Sequence, residues 1–265
     1  MQESNYIVDR YLPDIMRQIC DKKDIAVRLL SDEWVLVLKK AEKTHFIYGF
    51  KFGGLNDSAA ATISQDKVAT YELLREANVP AVPHVLVSTR ANSYKGWLPR
   101  ANEWEQFVIK PTHGGGGRAV YLLSNTREAT KLMNGHGEQS WCVAPFVKVL
   151  SETRLIFLGE EIVLAFEKHD PPMGHGLPMH NLRLGARAVV VEPAAKLVSL
   201  ARAARKALGL RLGAVDIVEL ETGETLVLEV NEGFSLEHFM RQSAEYKQLA
   251  EGVYEKIVEA MVSLD

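Results

Sequence analysis

Between residues 26 and 54 apolar side chains gather in short runs bounded by polar ones: "AVRLL" and "WVLVLKK" around "SDE", then "HFIYGFKFGG". The two strand-like runs, and the aromatic and glycine content of the third, predict strands and turns entered from one short helix, so residues 1–60 read as a small N-terminal domain. After residue 65 the pattern changes. Val68, Tyr71 and Leu74 recur at a spacing of three, Ser64 stands where a helix cap belongs, the Asp66 carboxylate suits the positive end, and "NVPAVP" stops the helix. "HVLVS", "FVIK", "AVYLL", helical "TREATKLMN" and "WCVAPFV" then predict a compact α+β subdomain over 61–150. A second subdomain, 151–265, opens with "TRLIFLGEEIVLAFEK", two apolar runs joined by a Gly-Glu turn as a hairpin. Two amphipathic helices complete it. One starts at Pro193, carries Leu197, Leu200, Ala201, Ala204 and Leu208 on a stripe and stops at Gly209; the other carries Tyr246, Leu249, Ala250, Val253, Ile257, Ala260, Met261 and Leu264.

Composition narrows the function classes. The 265 residues carry a formal net charge of −3, which gives no electrostatic case for nucleic acid. No run of about 18 apolar residues predicts a membrane span, and no signal-peptide core is visible. Cys20 and Cys142 form no framework spacing, so the expected setting is reducing and cytoplasmic.

Two stretches call for a chemical explanation. In "FVIKPTHGGGGRAVYLL" four glycines, Gly114 to Gly117, lie between strand-like runs, with Lys110 just upstream. A plain hairpin tip would account for glycines. A phosphate lid also would, because backbone N–H groups reach phosphate oxygens where no Cβ intervenes and a lysine neutralises charge. Neither the P-loop nor the dinucleotide fingerprint fits this spacing. In "GAVDIVELETGETLVLEVNEG" a symmetric hairpin places Asp216 opposite Glu229, with Asn231 on the same face. Like charges facing each other destabilise a sheet unless a cation intervenes, and oxygen donors of this kind suit Mg²⁺ or Mn²⁺ bridging nucleotide phosphates. A solvated acidic face is the alternative, disfavoured because Glu229 interrupts the apolar run "LVLEV".

The ordered set "SQDKVATYELLREANVPAVP", "FVIKPTHGGGGRAV", "ETRLIFLGEEIVLAFEK", "NLRLGAR", "AVDIVEL" and "LVLEVN" resembles the ATP-grasp superfamily, and within it the cyanophycin-synthetase-like and RimK-like amino-acid ligases, over about residues 45–240. The resemblance implies an ATP-grasp fold in which two α+β subdomains clamp ATP. It assigns Lys67 and Lys110 to the phosphates, Gly114, Gly115, Gly116 and Gly117 to the lid, and Asp216, Glu229 and Asn231 to the metal ions. Arg154, Lys168 and Arg183 would act on the transferred phosphoryl group and the acyl-phosphate, with Asn181 nearby. One departure stands out: where many members have Gln-Glu, this chain has "CVAPFVK". The Pro145 carbonyl and Val147 amide remain candidates for adenine, and Glu152 is the substitute carboxylate for the ribose.

The implied activity is an ATP-dependent carboxylate–amine ligase on a small amino-acid-like or peptide substrate, with a homodimer as a way to enlarge the site. A small-molecule kinase on the same scaffold and a nucleotide-binding regulator without catalysis are the rival readings. His169, His175 and His180 lie in a loop whose spacings match no common zinc set, so a substrate-facing loop is expected there.

Overall fold

A computed structural model describes residues 9–87, 101, 103–136 and 140–264. The first eight residues of the N-terminal domain and Ser88 of "HVLVS" lie outside the described residues. The chain begins with α1 (Leu12–Lys22) and an antiparallel meander, β1 (Ala26–Leu30), β2 (Val35–Lys40), β3 (Lys43–Tyr48) and β4 (Lys51–Phe52), in sequential order. In the meander successive side chains face opposite ways: Leu36, Leu38, Ile47 and Phe52 are buried, whereas Phe46 and Tyr48 on the opposite face are exposed.

Two helices follow. α2 (Ser58–Gln65) lacks an apolar stripe in "SAAATISQ" and so leaves no periodic signal; Asp57 caps it, accepting from the Ala59 and Ala60 amides. α3 (Lys67–Glu76) is capped by Asp66, which accepts from Val68 N at 2.9 Å and Ala69 N at 3.1 Å. Ser64 is therefore not the cap: it sits in the last turn of α2 and donates to the Ala61 carbonyl. An acid accepting two amides at the positive helix end outcompetes a serine two residues upstream.

The next unit contains β5 (Val85–Val87), β6 (Phe107–Pro111), β7 (Tyr121–Leu123), α4 (Thr126–Asn134) and β8 (Trp141–Pro145), its antiparallel sheet ordered β5-β8-β6-β7. Val87, Phe107, Ile109, Met133, Trp141 and Val143 form its core. The remainder is β9 (Val149–Leu158), β10 (Glu161–His169), a small hairpin of β11 (Met173–Gly174) and β12 (Leu177–Pro178), β13 (Arg187–Val190), α5 (Ala195–Leu208), β14 (Leu212–Leu220), β15 (Thr225–Asn231), α6 (Glu237–Met240) and α7 (Ala244–Val262). Its five strands are ordered β13-β10-β9-β14-β15, all antiparallel.

The two faces of this sheet explain the architecture. One face, with Leu155, Phe157, Ala165, Val215 and Val230, packs on α5 and on α2–α3 through Ala60, Ile63 and Leu74. The other is divided lengthwise. Ile156, Leu164, Phe166, Leu212 and Ala214 join α1, the meander and α7 in one core, while Glu152, Arg154, Lys168, Asp216, Glu229 and Asn231 continue the same face as a polar half.

Packing therefore departs from the expected partition at 60 and 150. The N-terminal segment shares its core with the C-terminal sheet, and α3 packs on that sheet rather than on the β5–β8 unit. The meander buries only its inner face, and one such sheet needs a second apolar surface to close a core. Pro193 precedes the Ala194 cap of α5, and Gly209 ends that helix at φ +66°. On α7 Ala250, Val253, Ile257 and Met261 are buried as their spacing predicts, joined by Tyr254 and Val258, whereas Leu249 is 39% exposed.

Candidate active site

The polar half of the C-terminal sheet and the β6–β8 sheet with its glycine loop enclose a cavity of about 610 Å³, within the range of small-molecule sites. Lys67, Lys110, Gly114 to Gly117, Pro145, Val147, Glu152, Arg154, Lys168, Arg183, Asp216, Glu229 and Asn231 all line it. Segments separated by more than a hundred residues thus meet at one surface.

Register builds the charged wall of the cavity. Arg154 of β9 pairs with Asp216 of β14, which pairs with Glu229 of β15, so a cation and two carboxylates lie in a row across three strands. The hairpin is less symmetric than its turn suggests. Glu219, Val218 and Ile217 oppose Thr225, Leu226 and Val227, and only a bulge at Leu228 then sets Asp216 opposite Glu229. Arg154 grips Asp216 in a bidentate pair, Nε to Oδ1 at 2.7 Å and Nη2 to Oδ2 at 2.6 Å. Lys168 bridges Asp216 Oδ1, at 3.1 Å, and Glu152. All four groups are largely withdrawn from water. Burial alone would raise the Asp216 carboxyl, but Arg154 and Lys168 outweigh it and hold that group far below the ordinary range. Glu152 moves the other way: burial, with the neighbouring Asp216 charge, raises it despite Lys168. For Arg154 burial is overcome by Asp216, and its guanidinium is held charged.

The opposite wall carries the lysines. Asp66 caps α3, and the Lys67 amide donates to Thr112 O at 3.2 Å, fastening the helix start to the glycine loop. The Lys67 ammonium donates to Gly114 O at 2.7 Å and stands 3.6 Å from Glu229. Lys110 has no ion pair among the described residues, and burial lowers its pKa. A half-buried ammonium without an ion pair is costly unless an anion completes the site. Next to it His84, fully buried, donates from Nδ1 to Val82 O at 2.9 Å; burial and Lys110 keep it neutral. Gly117 is held to glycine by its backbone, at φ +72°; a Cβ there would lie 2.6 Å from Met179 Cε, the end of a flexible side chain that can move aside. The loop thus packs against the 177–184 segment.

Several placements refine the predicted roles. Glu152 is in the cavity, yet it is spent on Lys168 rather than offered at the hinge. The Val147 N–H has no hydrogen-bond partner among the described residues, so it is available to a purine. The three loop histidines face different neighbours: His169 Nε2 meets Glu167 at 2.8 Å, His175 packs on the Tyr121 ring at 4.9 Å, and His180 Nδ1 donates to Lys168 O at 3.3 Å. Of these only His180 lines the cavity, followed by Asn181, whose side chain accepts from the Arg183 amide at 2.9 Å. Cys142 is buried, its thiol raised to about 11 by desolvation. Lining residues that the sequence reading passed over include Arg118, Phe146, Lys148, Glu221, Phe234, Ser235 and His238. Only adjacency to a motif could have marked Arg118, Phe146 and Lys148; nothing local marks the others.

The metal expectation can be tested against this geometry. Asp216, Glu229 and Asn231 supply hard oxygen donors on one face, the kind magnesium takes. Glu229 is held only loosely, by Lys67, whereas Asp216 is shared with Arg154 and Lys168. Among the described residues no three His, Cys, Asp or Glu side chains form a metal-sized group. The fit is therefore one of donor chemistry, completed by the Asn231 amide.

Two opposed α+β layers around a cavity that joins a glycine loop to an Asp-Glu-Asn strand pair define an ATP-grasp ligase fold. The family model for the RimK-like ATP-grasp domain matches residues 64–252, and the chain belongs to that family. ATP-grasp ligases use ATP. A probable alpha-L-glutamate ligase of Legionella pneumophila (strain Paris) is 27% identical over 187 residues, 69% of this chain and 60% of that protein. The chain thus spans less than two thirds of that relative's length. Among solved structures, D-cycloserine synthetase DcsG superposes with a TM-score of 0.59 at 22% identity, covering 77% of this chain and 73% of DcsG. The ATP-grasp ligase PsnB complexed with minimal precursor, Mg and ADP gives 0.54 at 18% identity, over 75% of this chain and 62% of PsnB. Among the described residues no helix is long and apolar enough to cross a membrane.

Proposed function

We propose that the protein is an ATP-dependent carboxylate–amine ligase acting on an amino acid or peptide. One juxtaposition carries this reading: Lys110, half-buried and without an ion-pair partner among the described residues, and the glycine loop share a cavity with the Arg154–Asp216–Lys168–Glu152 chain. The first half suits an anionic polyphosphate. The second presents two cations held in place by acids, as a site for charge that moves between groups requires.

In the reaction, a substrate carboxylate oxygen attacks the terminal phosphorus of ATP and ADP leaves. An amine then attacks the acyl carbon, phosphate departs, and the amine's proton is lost as the amide forms. Lys67 and Lys110 hold the phosphates, and the Gly114–Gly117 loop closes over them and excludes water. Arg154, Lys168 and Arg183 neutralise the charge on the phosphoryl group and the acyl-phosphate. This is catalysis by positioning and electrostatics, as in other phosphoryl transfers. Asp216, Glu229 and Asn231 would hold Mg²⁺ or Mn²⁺, which when bound supplies further charge neutralisation at the phosphates. The glutamate-ligase name of the Legionella relative supports amino-acid chemistry, and the minimal precursor in the PsnB complex is compatible with a larger acceptor.

The test is ADP and phosphate release with Mg·ATP across a panel of amino acids and short peptides, with mass spectrometry of each positive reaction. A product lighter by one water than its two components, absent with Glu229→Ala, supports ligation. A phosphomonoester would show a kinase instead, and nucleotide binding without turnover across the panel would favour the regulatory reading.

A further inference from the structure

Among the described residues four carboxylates line the cavity: Glu152, Asp216, Glu221 and Glu229. Three are engaged, Glu152 by Lys168, Asp216 by Arg154 and Lys168, and Glu229 by Lys67. The fourth, Glu221, makes no ion pair or side-chain hydrogen bond among the described residues. It is also far from the phosphate lysines in the chain's own logic. β14 ends with Leu220 opposite Val149 of β9, and the next amide, that of Glu221, donates to the Lys148 carbonyl at 3.0 Å. This fastens the start of the β14–β15 turn to the segment linking β8 and β9, beside Pro145 and Val147. That end of the cavity is walled by Val82, Val108, Ala144 and Leu228, an apolar slot for a planar base, and "APFVKVLS" contains no acid.

We propose that Glu221 accepts the ribose hydroxyls of the bound nucleotide, so that the sugar is read from the C-terminal hairpin turn and not from the hinge. The inference rests on the nucleotide reading above. An apolar slot with backbone contacts cannot distinguish ribose from deoxyribose, whereas a carboxylate left without its hydroxyl donor does so. Hydrogen bonds to an ionised acceptor are also about twice as strong as neutral ones. Glu221 is exposed in the ligand-free protein, as a residue that meets a sugar at a cavity mouth should be.

Calorimetric titration of the full chain with Mg·ADP, Mg·2′-deoxy-ADP and Mg·3′-deoxy-ADP tests this. The wild type should bind ADP roughly tenfold more tightly than at least one deoxy analogue. Glu221→Ala should bring ADP down to that analogue's affinity while leaving the analogue unchanged, and Glu221→Gln should fall between. Glu224→Gln, on the same turn, should behave as wild type. Discrimination that survives in Glu221→Ala, or is absent from the wild type, overturns the proposal while leaving nucleotide binding intact. A wild type that binds none of the three overturns the nucleotide reading and this one with it. Thermal melts of each variant establish folding, and Gln carries the test if Ala does not fold.

Discussion

Replacing Asp216 by Asn should destabilise the ligand-free protein at neutral pH. Asp216 is 2% exposed and receives two hydrogen bonds from Arg154 and one contact from Lys168. Asparagine keeps the volume and one acceptor but leaves two buried cations with Glu152 as their nearest acid. Removing one partner of a buried pair costs about 3–5 kcal/mol, and the 21% exposure of the Arg154 side chain places this case at about 3. For a chain of this size that lowers Tm by roughly 6–12 °C. The pH dependence has a definite sign. The folded Asp216 carboxyl lies below its unfolded value, so its contribution is fully present above about pH 4 and fades as the pH falls further. Urea unfolding of wild type and variant at pH 7 and at pH 3 measures both. A loss under about 1 kcal/mol at pH 7, or a gap that does not narrow at pH 3, would refute the claim that this pair is a buried charge network.

Lys110→Met should melt at or above the wild-type temperature without ligand, because it removes a half-buried cation that has no ion pair among the described residues, and should lose the upward shift that Mg·ATP induces in a thermal melt. Since the folded lysine has the lowered pKa, its contribution makes wild-type stability rise with pH only between that lowered value and the unfolded value of about 10.4, and this contribution should be absent from the variant. Gly117→Ala should cost about 1–2 kcal/mol by chemical denaturation from its left-handed backbone alone, while Gly115→Ala, with open space at its Cβ, should stay within about 0.5. Glu237→Ala should destabilise by about 1–3 kcal/mol and Gln by less, because this buried acid accepts from the Tyr11 and Leu12 amides, at 2.9 and 3.1 Å, and so caps α1 from more than two hundred residues away.

Local chemistry determined much of this protein by itself. Apolar runs between turn residues marked the meander and the hairpin from "TRLIFL" to "AFEK", and helical patterns marked α3, α4, α5 and α7, because the side chains that must be buried are grouped by the element's own geometry. Glycine, lysine and acid runs marked the cavity wall for the same reason: a phosphate or a cation is met by particular atoms, and those atoms belong to particular residue types. Tertiary structure decided the rest. Helix α2 has no apolar stripe and is held by its Asp57 cap and by packing, whereas α1 has no side-chain cap of its own and its first amides are met by Glu237. The Asp216–Glu229 pairing depends on a bulge at Leu228 that a symmetric hairpin does not contain. The commitment of Glu152 to Lys168, and the arrival of Glu221 beside Lys148, each join strands distant in the chain. Such contacts arise from register and strand order, and a single strand's sequence encodes its faces but not its neighbours.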